Sequence, residues 1–176
     1  MQKFSLPQQP KIMSRSGNSA TIEVDALYPG YGTTLGNALR RVLLSSIPGA
    51  AITSVKIAGV DHEFSTIANV MEDVIHILLN LKQVRFKLHS DESVAIKLSA
   101  KGEKKVTAAD FQTVSGQVEV VNPDLYIATL TDKKANLEIE AEVSTGVGYE
   151  PVERRKKEKI AIGSIALDAI YTPVRK

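Results

Sequence analysis

A glycine-rich turn is the first feature of this sequence that could do chemistry. Gly30-Tyr-Gly32 follows an alternating segment and precedes a helical one, and a helix N-terminus after such a turn attracts phosphate groups. A dinucleotide-binding fingerprint would also need a third glycine where Leu35 stands, and an acidic residue about 20 positions further on at a strand end. The residues found there are Ala50-Ala-Ile-Thr-Ser. We therefore do not expect a nucleotide cofactor.

Three histidines and four carboxylates are the other candidates for metal binding or acid–base catalysis: His62, His76, His89, Asp61, Glu63, Glu72 and Asp73. The histidines lack the spacing of a zinc helix, in which the second histidine comes four residues after the first with a glutamate between them. The carboxylates could pair only through tertiary structure, and a place in the first turn of a helix explains Glu72 and Asp73. A serine nucleophile elbow is also missing. The sequence predicts no catalytic centre, no cofactor and no metal site.

The composition of the chain argues against several further classes of function. The chain has 176 residues, 43% of them hydrophobic and 24% charged, with a net charge of +2 and no cysteine. These are values of a globular protein, and they exclude disulfides and thiolate chemistry. Aromatic residues make up 5% and tryptophan is absent, so the chain offers little stacking surface for single-stranded nucleic acid. Without a signal peptide or an apolar run long enough to span a bilayer, we expect a soluble cytoplasmic protein that binds no membrane.

The glycine turn opens a helix that we predict over residues 34–47, with Thr33 or Thr34 as N-cap and Pro48-Gly49 at its end. One arc of this helix is apolar and wide enough for a core face: Leu35, Ala38, Leu39, Val42 and Leu43. On the other side Leu44 lies among Asn37, Arg40 and Arg41. This side is either a solvated helix back with one incidental leucine or a partner surface, because apolar anchors beside arginines are favoured at interface centres.

The rest of the chain predicts an α+β fold. A strand over 20–27 leads into the helix, and a second strand follows at 51–59. Asn69 and Glu72 indicate a capping box for a second helix over 69–82, and Thr107 to Phe111 could form one helical turn. Segments with period two predict antiparallel strands at 84–89, 93–99, 117–121, 125–130, 136–143 and 162–170. We expect two bodies, the first strand with helix 34–47, and residues 50 to about 168 around helix 69–82.

Several motifs now point to a family. The run Gly30-Tyr-Gly-Thr-Thr-Leu-Gly-Asn-Ala-Leu-Arg-Arg-Val-Leu-Leu-Ser-Ser-Ile-Pro-Gly49 resembles the signature of the N-terminal domain of the bacterial DNA-directed RNA polymerase alpha subunit. The same family order holds for further motifs across nearly the whole chain: His62-Glu-Phe-Ser-Thr66, Glu72-Asp73, Leu78-Leu-Asn-Leu-Lys82, Val106-Thr-Ala-Ala-Asp110 and Asp168-Ala-Ile-Tyr-Thr-Pro-Val174. A run of about twenty residues around Asn-Ala-Leu-Arg-Arg is far more specific than a helix pattern.

The resemblance implies an assembly role in transcription. It implies a discontinuous dimerisation domain, residues 1–49 and 169–176, interrupted by a mostly antiparallel insert domain with one helix, residues 50–168. Two copies would form a homodimer that holds the beta and beta prime subunits of RNA polymerase. The chain would thus be a subunit of a nucleotidyltransferase without catalytic residues of its own, and this segment would not bind DNA directly.

The resemblance also implies three sets of contact residues, carried over by position. The beta subunit would be contacted by Arg40, Arg41, Leu44, His62, Glu63, Ser65 and Thr66. The dimer interface would contain Leu35, Ala38, Leu39, Val42 and Leu43. The beta prime subunit would be contacted by Tyr171, Pro173 and Arg175.

The sequence departs from the family pattern in places. Asp25-Ala26-Leu27 stands where the family has an acidic residue, proline and leucine, and Ala68-Asn69 replaces a common proline-glycine. The family also continues beyond residue 176 with strands and a helix that complete the dimerisation domain, so we expect the apolar arc of helix 34–47 to lack cover here. Two alternatives are a small enzyme or ligand-binding domain and an archaeal- or eukaryotic-type counterpart that pairs with a different partner. The unbroken bacterial form of residues 30–49 argues against the second.

Overall fold

The computed structural model describes residues 6–90, 92–113, 116–155 and 163–174. The chain forms two compact units, Met1–Leu43 and Leu44–Lys176. The first unit contains an antiparallel hairpin of β1 (Lys11–Ser16) and β2 (Ser19–Glu23). It also contains most of helix α1 (Tyr31–Ser46). The predicted strand at 20–27 corresponds to β2, which ends earlier, at Glu23. Strand β1 was not predicted, because its residues Lys11-Ile-Met-Ser-Arg-Ser16 do not alternate with period two.

Helix α1 begins earlier than predicted. Gly30 takes a left-handed φ of 91° and closes the turn, while the backbone N–H of Tyr31 donates to the carbonyl of Tyr28 at 2.9 Å. Gly32 is already helical, so Thr33 and Thr34 lie inside the first turn and the prediction of an N-cap there is wrong.

The second unit is built on an antiparallel sheet. In the part of the chain that the structure describes, the strands of the second unit are β3 (Pro48–Ile57), β4 (Phe86–Leu88), β5 (Val94–Lys101), β6 (Lys104–Thr107), β7 (Phe111–Gln112), β8 (Val118–Val120), β9 (Tyr126–Leu130), β10 (Asn136–Val147), β11 (Tyr149–Glu150), β12 (Ile165–Ala166) and β13 (Ala169–Ile170). The main sheet has the order β7-β5-β10-β3-β4-β8, and β12 pairs with β3. Strand β6 pairs with β9, and β11 with β13. The expected α+β class is confirmed.

Strand β10 is the central strand of this sheet. It pairs antiparallel with β3 on one side and β5 on the other. Its alternate side chains Leu137, Ile139, Ala141 and Val143 are buried, and those between them are exposed or half-buried. Glu140 lies on the outer face between Lys56 and Lys97, and the Lys97 ammonium donates to its carboxylate at 2.6 Å. The period-two pattern in the sequence thus corresponds to the two faces of the sheet.

Helix α2 (Val74–Leu81) packs against the core face of the sheet through Val74, Ile77, Leu78 and Leu81. It is shorter than the predicted helix 69–82. Asp73 is the N-cap, and its carboxylate accepts from the His76 backbone N–H at 2.7 Å. Asn69 takes a left-handed φ of 61°, so the predicted capping box between Asn69 and Glu72 is wrong. The Glu72 carboxylate is bonded to β9 instead.

Two short 3-10 helices complete the unit, at Ala108–Asp110 and Val152–Arg155. The first confirms the predicted helical turn near 107–111. The predicted strand at 162–170 forms two short strands that pair with different partners, β12 with β3 and β13 with β11. Ile162 lies outside the described residues.

Residues 163–174, which we call the last segment, pack against the sheet. Glycines at two positions allow this packing. A Cβ on Gly146 would lie 2.5 Å from the Tyr171 ring, and a Cβ on Gly49 would lie 1.9 Å from the Tyr171 carbonyl oxygen. Tyr171 itself is 5% exposed. Any side chain at these positions would push the segment off the sheet.

We predict that Gly146→Ala lowers the free energy of unfolding by roughly 1–3 kcal/mol, because overpacking at a buried ring forces side-chain and backbone shifts. Urea unfolding followed by circular dichroism measures the change. Gly36→Ala is the matched control, since a Cβ on Gly36 meets no atom within 4 Å and alanine is the better helix former. Equal midpoints for Gly146→Ala and the wild type would contradict the close packing of Tyr171.

Candidate protein-interaction site

Helix α1 buries none of its residues. Three large apolar side chains of its predicted core arc are exposed, Leu39 by 51%, Val42 by 56% and Leu43 by 43%. Ala38 is exposed as well, and Leu35 is half-buried. The arc is therefore not a core face in this structure. Its assignment to a dimer interface stays a prediction.

The other side of α1 carries the predicted contacts for the beta subunit. Arg40 and Arg41 are exposed, and Leu44 is half-buried. Both guanidinium groups thus lie at the surface beside a partly accessible leucine, as the partner-surface interpretation requires. Contact with a second protein remains a prediction for these three residues.

The second predicted contact region is a structured loop, which we call the 61–73 loop. His62, Glu63 and Thr66 are exposed, and Ser65 is half-buried. The Ser65 hydroxyl donates to the His62 carbonyl at 2.8 Å and lies 3.2 Å from His62 Nδ1. The Ser65 carbonyl in turn accepts from the Val74 backbone N–H at 3.2 Å. These bonds tie the loop to the first residue of α2.

The far end of the 61–73 loop is bonded to strand β9 and the residue after it. The Glu72 carboxylate accepts from the Tyr126 hydroxyl and from the Thr129 backbone N–H, the latter at 2.7 Å. The Met71 backbone N–H donates to the Thr129 carbonyl at 3.0 Å, and the Asn69 carbonyl accepts from the Thr131 backbone N–H at 2.9 Å. Burial, and then the hydrogen bond with Glu72, raise the pKa of Tyr126 above its ordinary value. The loop is thus held at both ends by the core.

The sequence assigned Glu72 to a helix cap, although its carboxylate binds β9. It placed Phe64 within the beta-facing loop His62 to Thr66 without naming it among the individual contacts, and the Phe64 side chain is 75% exposed. The signal for Phe64 was present as a lone aromatic residue among Asp61, His62, Glu63 and Ser65. No local pattern predicts the partners of Glu72, since they lie more than fifty residues away along the chain.

The predicted beta prime contacts lie in different environments. Tyr171 is buried, with its hydroxyl 2.9 Å from that of Ser144, and burial raises its pKa. Pro173 is exposed. Arg175 lies outside the described residues. The geometry gives Tyr171 a structural role in fixing the last segment, while Pro173 offers surface for a partner.

Asp168 fixes the same segment by polar bonds. Its carboxylate accepts from the Val152 backbone N–H at 3.1 Å and from the Lys82 ammonium at 3.4 Å. The Val152 bond is the main cause that lowers the pKa of Asp168, while partial burial opposes it and Lys82 adds to it. The segment is thereby connected to the end of α2.

No three His, Cys, Asp or Glu side chains among residues 6–90, 92–113, 116–155 and 163–174 lie close enough together to hold a metal ion. A cavity of about 430 Å³ is lined by polar groups of the sheet and by Arg155, Glu150 and Tyr171. The described helices include none long and apolar enough to cross a bilayer.

Comparison of the sequence with known protein families identifies the family of this chain. A match to the family described as the RNA polymerase Rpb3/RpoA insert domain covers residues 55–172. The chain belongs to this family. The Rpb3/RpoA match extends from within β3 to the residue after Tyr171, so it spans nearly all of the second unit. The resemblance found in the motifs is confirmed.

Three relatives of this chain are named DNA-directed RNA polymerase subunit alpha. The DNA-directed RNA polymerase subunit alpha of Symbiobacterium thermophilum is 50% identical over 96% of this chain and 54% of its own length. The subunits alpha of Flavobacterium psychrophilum and Roseiflexus castenholzii are 48% and 50% identical, over 98% and 94% of this chain. The chain spans about half the length of the curated relatives it matches.

We predict that acid unfolds the protein less steeply when Asp168 is replaced by asparagine. Because the pKa of Asp168 is lowered on folding from 3.8, its stabilising effect is present at neutral pH and is lost as the pH falls through the folded-state value. Asp168→Asn should lose up to about 1 kcal/mol at neutral pH and lose less on further acidification than the wild type does.

Urea unfolding at neutral pH and at about pH 3 measures both differences. The exposed Asp124 provides the control, since Asp124→Asn should follow the wild type at both pH values. If Asp168→Asn and the wild type lose equal stability on acidification, the charge of Asp168 does not hold the last segment.

Proposed function

We propose that this chain is the assembly part of a bacterial RNA polymerase alpha subunit. Two copies associate through α1, and the dimer holds the beta and beta prime subunits. The observation that carries the proposal is that α1 buries none of its residues in a chain about 50% identical to subunits alpha. The chain contributes no catalytic residue, and the polymerase works in the bacterial cytoplasm.

The apolar arc of α1 supports the dimer part of the proposal. Leu39, Val42 and Leu43 expose about half of each side chain, and they recur at helical spacing on one side. Burying such a patch against an identical patch removes apolar surface from water on both copies, at roughly 25 cal/mol per Å². A twofold axis through the arc lets each copy present the same residues to the other.

The arginine side of α1 supports the contact with the beta subunit. Arg40 and Arg41 bring planar groups with several donors, and Leu44 adds apolar area between them. Because this side lies opposite the apolar arc, one helix can serve the dimer and the large subunit at once. The 61–73 loop provides the second beta-facing surface in this proposal, through His62, Glu63, Ser65 and Thr66.

The domain assignment follows the same reasoning. Residues 1–49 and 169–176 belong to the dimerisation domain, and residues 50–168 form the insert domain. The packing of Tyr171 against Gly49 and Gly146 supports a return of the chain's last segment to the start of β3. Exposed Pro173 is the residue of this segment that we assign to the beta prime contact, together with Arg175.

We predict that Leu39→Asp weakens self-association by tenfold or more, because it places a charge in the apolar seam. The full-length protein is expressed and purified, and sedimentation equilibrium measures the dissociation constant of its dimer. Leu79→Asp is the control, since Leu79 is equally exposed, by 52%, and lies on α2. Unchanged association of Leu39→Asp would place the dimer contact away from α1.

We predict that Arg41→Ala lowers capture of the beta subunit of the same organism while the fold stays intact. Loss of an interface arginine typically costs about 2 kcal/mol or more, close to thirtyfold in affinity. The two proteins are co-expressed, purified through a tag on the alpha chain and quantified, with circular dichroism as the test of folding.

Arg15→Ala is the matched control, because Arg15 is an exposed arginine on β1. Capture by the wild type and Arg15→Ala, with loss for Arg41→Ala, supports the proposal. Equal capture by all three moves the contact away from Arg41, and no capture by the wild type overturns the assembly function.

A further inference from the structure

Strand β3 carries a β-bulge at Thr53. The ladder between β3 and β10 pairs Ser54 with Glu142, and the next pair is Ile52 with Val143. Thr53 is therefore an extra residue between the two pairs, and such a residue disrupts the ladder locally. Its side chain is turned to the protein, since Thr53 is 8% exposed and its hydroxyl donates to the Glu142 carbonyl at 3.3 Å.

The carbonyl of Thr53 accepts two hydrogen bonds from outside β10. The Leu167 backbone N–H donates to it at 2.9 Å, and Arg155 Nη1 donates to it at 3.2 Å. A backbone carbonyl has two lone pairs, so it can accept both bonds. Arg155 Nη2 donates in turn to the Leu167 carbonyl. One guanidinium thus joins the bulge of β3 to the last segment.

The charge of Arg155 lies mostly out of water. Its side chain is 13% exposed, and the Glu150 carboxylate lies 3.9 Å from Nε, beyond hydrogen-bond distance. Nε is buried and has no hydrogen-bond partner among the residues that the structure describes. Burying an incompletely paired guanidinium is unfavourable. The two bonds to Thr53 and Leu167 therefore indicate a side chain that fixes geometry more than it adds stability.

The geometry that Arg155 fixes leads to an exposed surface. After Leu167 the last segment continues as β13, which pairs with β11 just before the 3-10 helix that contains Arg155. Tyr171 then packs on the sheet, and Pro173 follows as an exposed residue. The guanidinium thus holds the start of the stretch that ends at Pro173.

We propose that Arg155 is the positioning residue of the last segment, and that it sets the orientation of the surface around Pro173 for the beta prime subunit. The proposal rests on the proposed function, which supplies the partner. Arg155 acts through Leu167 and the backbone that follows, not by contact with the partner. Its planar group is required because two terminal nitrogens donate to two carbonyls at once, which an ammonium cannot match.

The test uses the full-length alpha chain, co-expressed with the beta and beta prime subunits of the same organism and purified through a tag on alpha. Arg155→Met and Arg155→Lys should each lower the recovered ratio of beta prime to beta by about threefold or more, because the surface is less preorganised. In the purified alpha chain, each should speed hydrogen exchange at the Leu167 amide by about tenfold. Arg155→Lys keeps the charge and decides the test if Arg155→Met does not fold.

Two controls separate positioning from general stability. Arg154 is the exposed neighbour in the same 3-10 helix, so Arg154→Ala should match the wild type in both readouts. Val106 is fully buried in β6, which pairs with β9. Val106→Ala leaves a core cavity, so it should lower the unfolding midpoint in urea and leave the ratio of beta prime to beta unchanged.

The outcomes separate this proposal from the proposed function. Unchanged exchange at Leu167 in Arg155→Met and Arg155→Lys overturns the positioning role. Faster exchange with a wild-type ratio of beta prime to beta also overturns it and leaves the proposed function standing. An equal loss of beta prime in Val106→Ala assigns the effect to stability and overturns the role as well. Recovery of beta without beta prime by the wild type overturns the beta prime part of the proposed function, and the role of Arg155 with it.

Discussion

The structure depends on the pairing of β10 with β3 and β5. These three strands share the longest ladders in the sheet, and the buried side of β10 provides Leu137, Ile139, Ala141 and Val143. Helix α2 contributes Val74, Ile77, Leu78 and Leu81 to the same core cluster. A shift of register by one residue would turn the glutamates of β10 into the core. The alternation of the sequence therefore fixes the register as well as the fold.

Polar bonds and apolar burial both stabilise the second unit, and they do so in different ways. Apolar side chains of the sheet and α2 form most of the core. The 61–73 loop and the last segment also pack apolar residues such as Ile67, Leu167 and Tyr171, and a few directed bonds attach them as well. Glu72 connects the 61–73 loop to β9, and Asp168 connects the last segment to the end of α2 and to Val152. Such bonds define direction, because a hydrogen bond weakens steeply when its angle changes. They are suited to surfaces that must meet a partner in one orientation.

Much of this could be read from the sequence. Period two predicted most strands of the sheet, and helical spacing predicted both helices, since one face of each element is apolar. The motif at residues 30–49 identified the family before any coordinates. The prediction of a capping box was wrong, although Asn69 and Glu72 match its common pattern. The Glu72 carboxylate instead accepts hydrogen bonds from Tyr126 and Thr129, which are distant in the sequence. Strand β1 was missed because its residues Lys11-Ile-Met-Ser-Arg-Ser16 do not alternate with period two.

Asn69 stands at a position of the 61–73 loop where the backbone has a positive φ. Its φ of 61° lies in the left-handed region, which glycine adopts freely and asparagine tolerates better than most residues. The family commonly has proline and glycine where Ala68 and Asn69 stand here. Asparagine has fewer backbone conformations to lose than glycine when the chain folds. This entropy difference offsets part of the strain that a side chain causes at a positive φ.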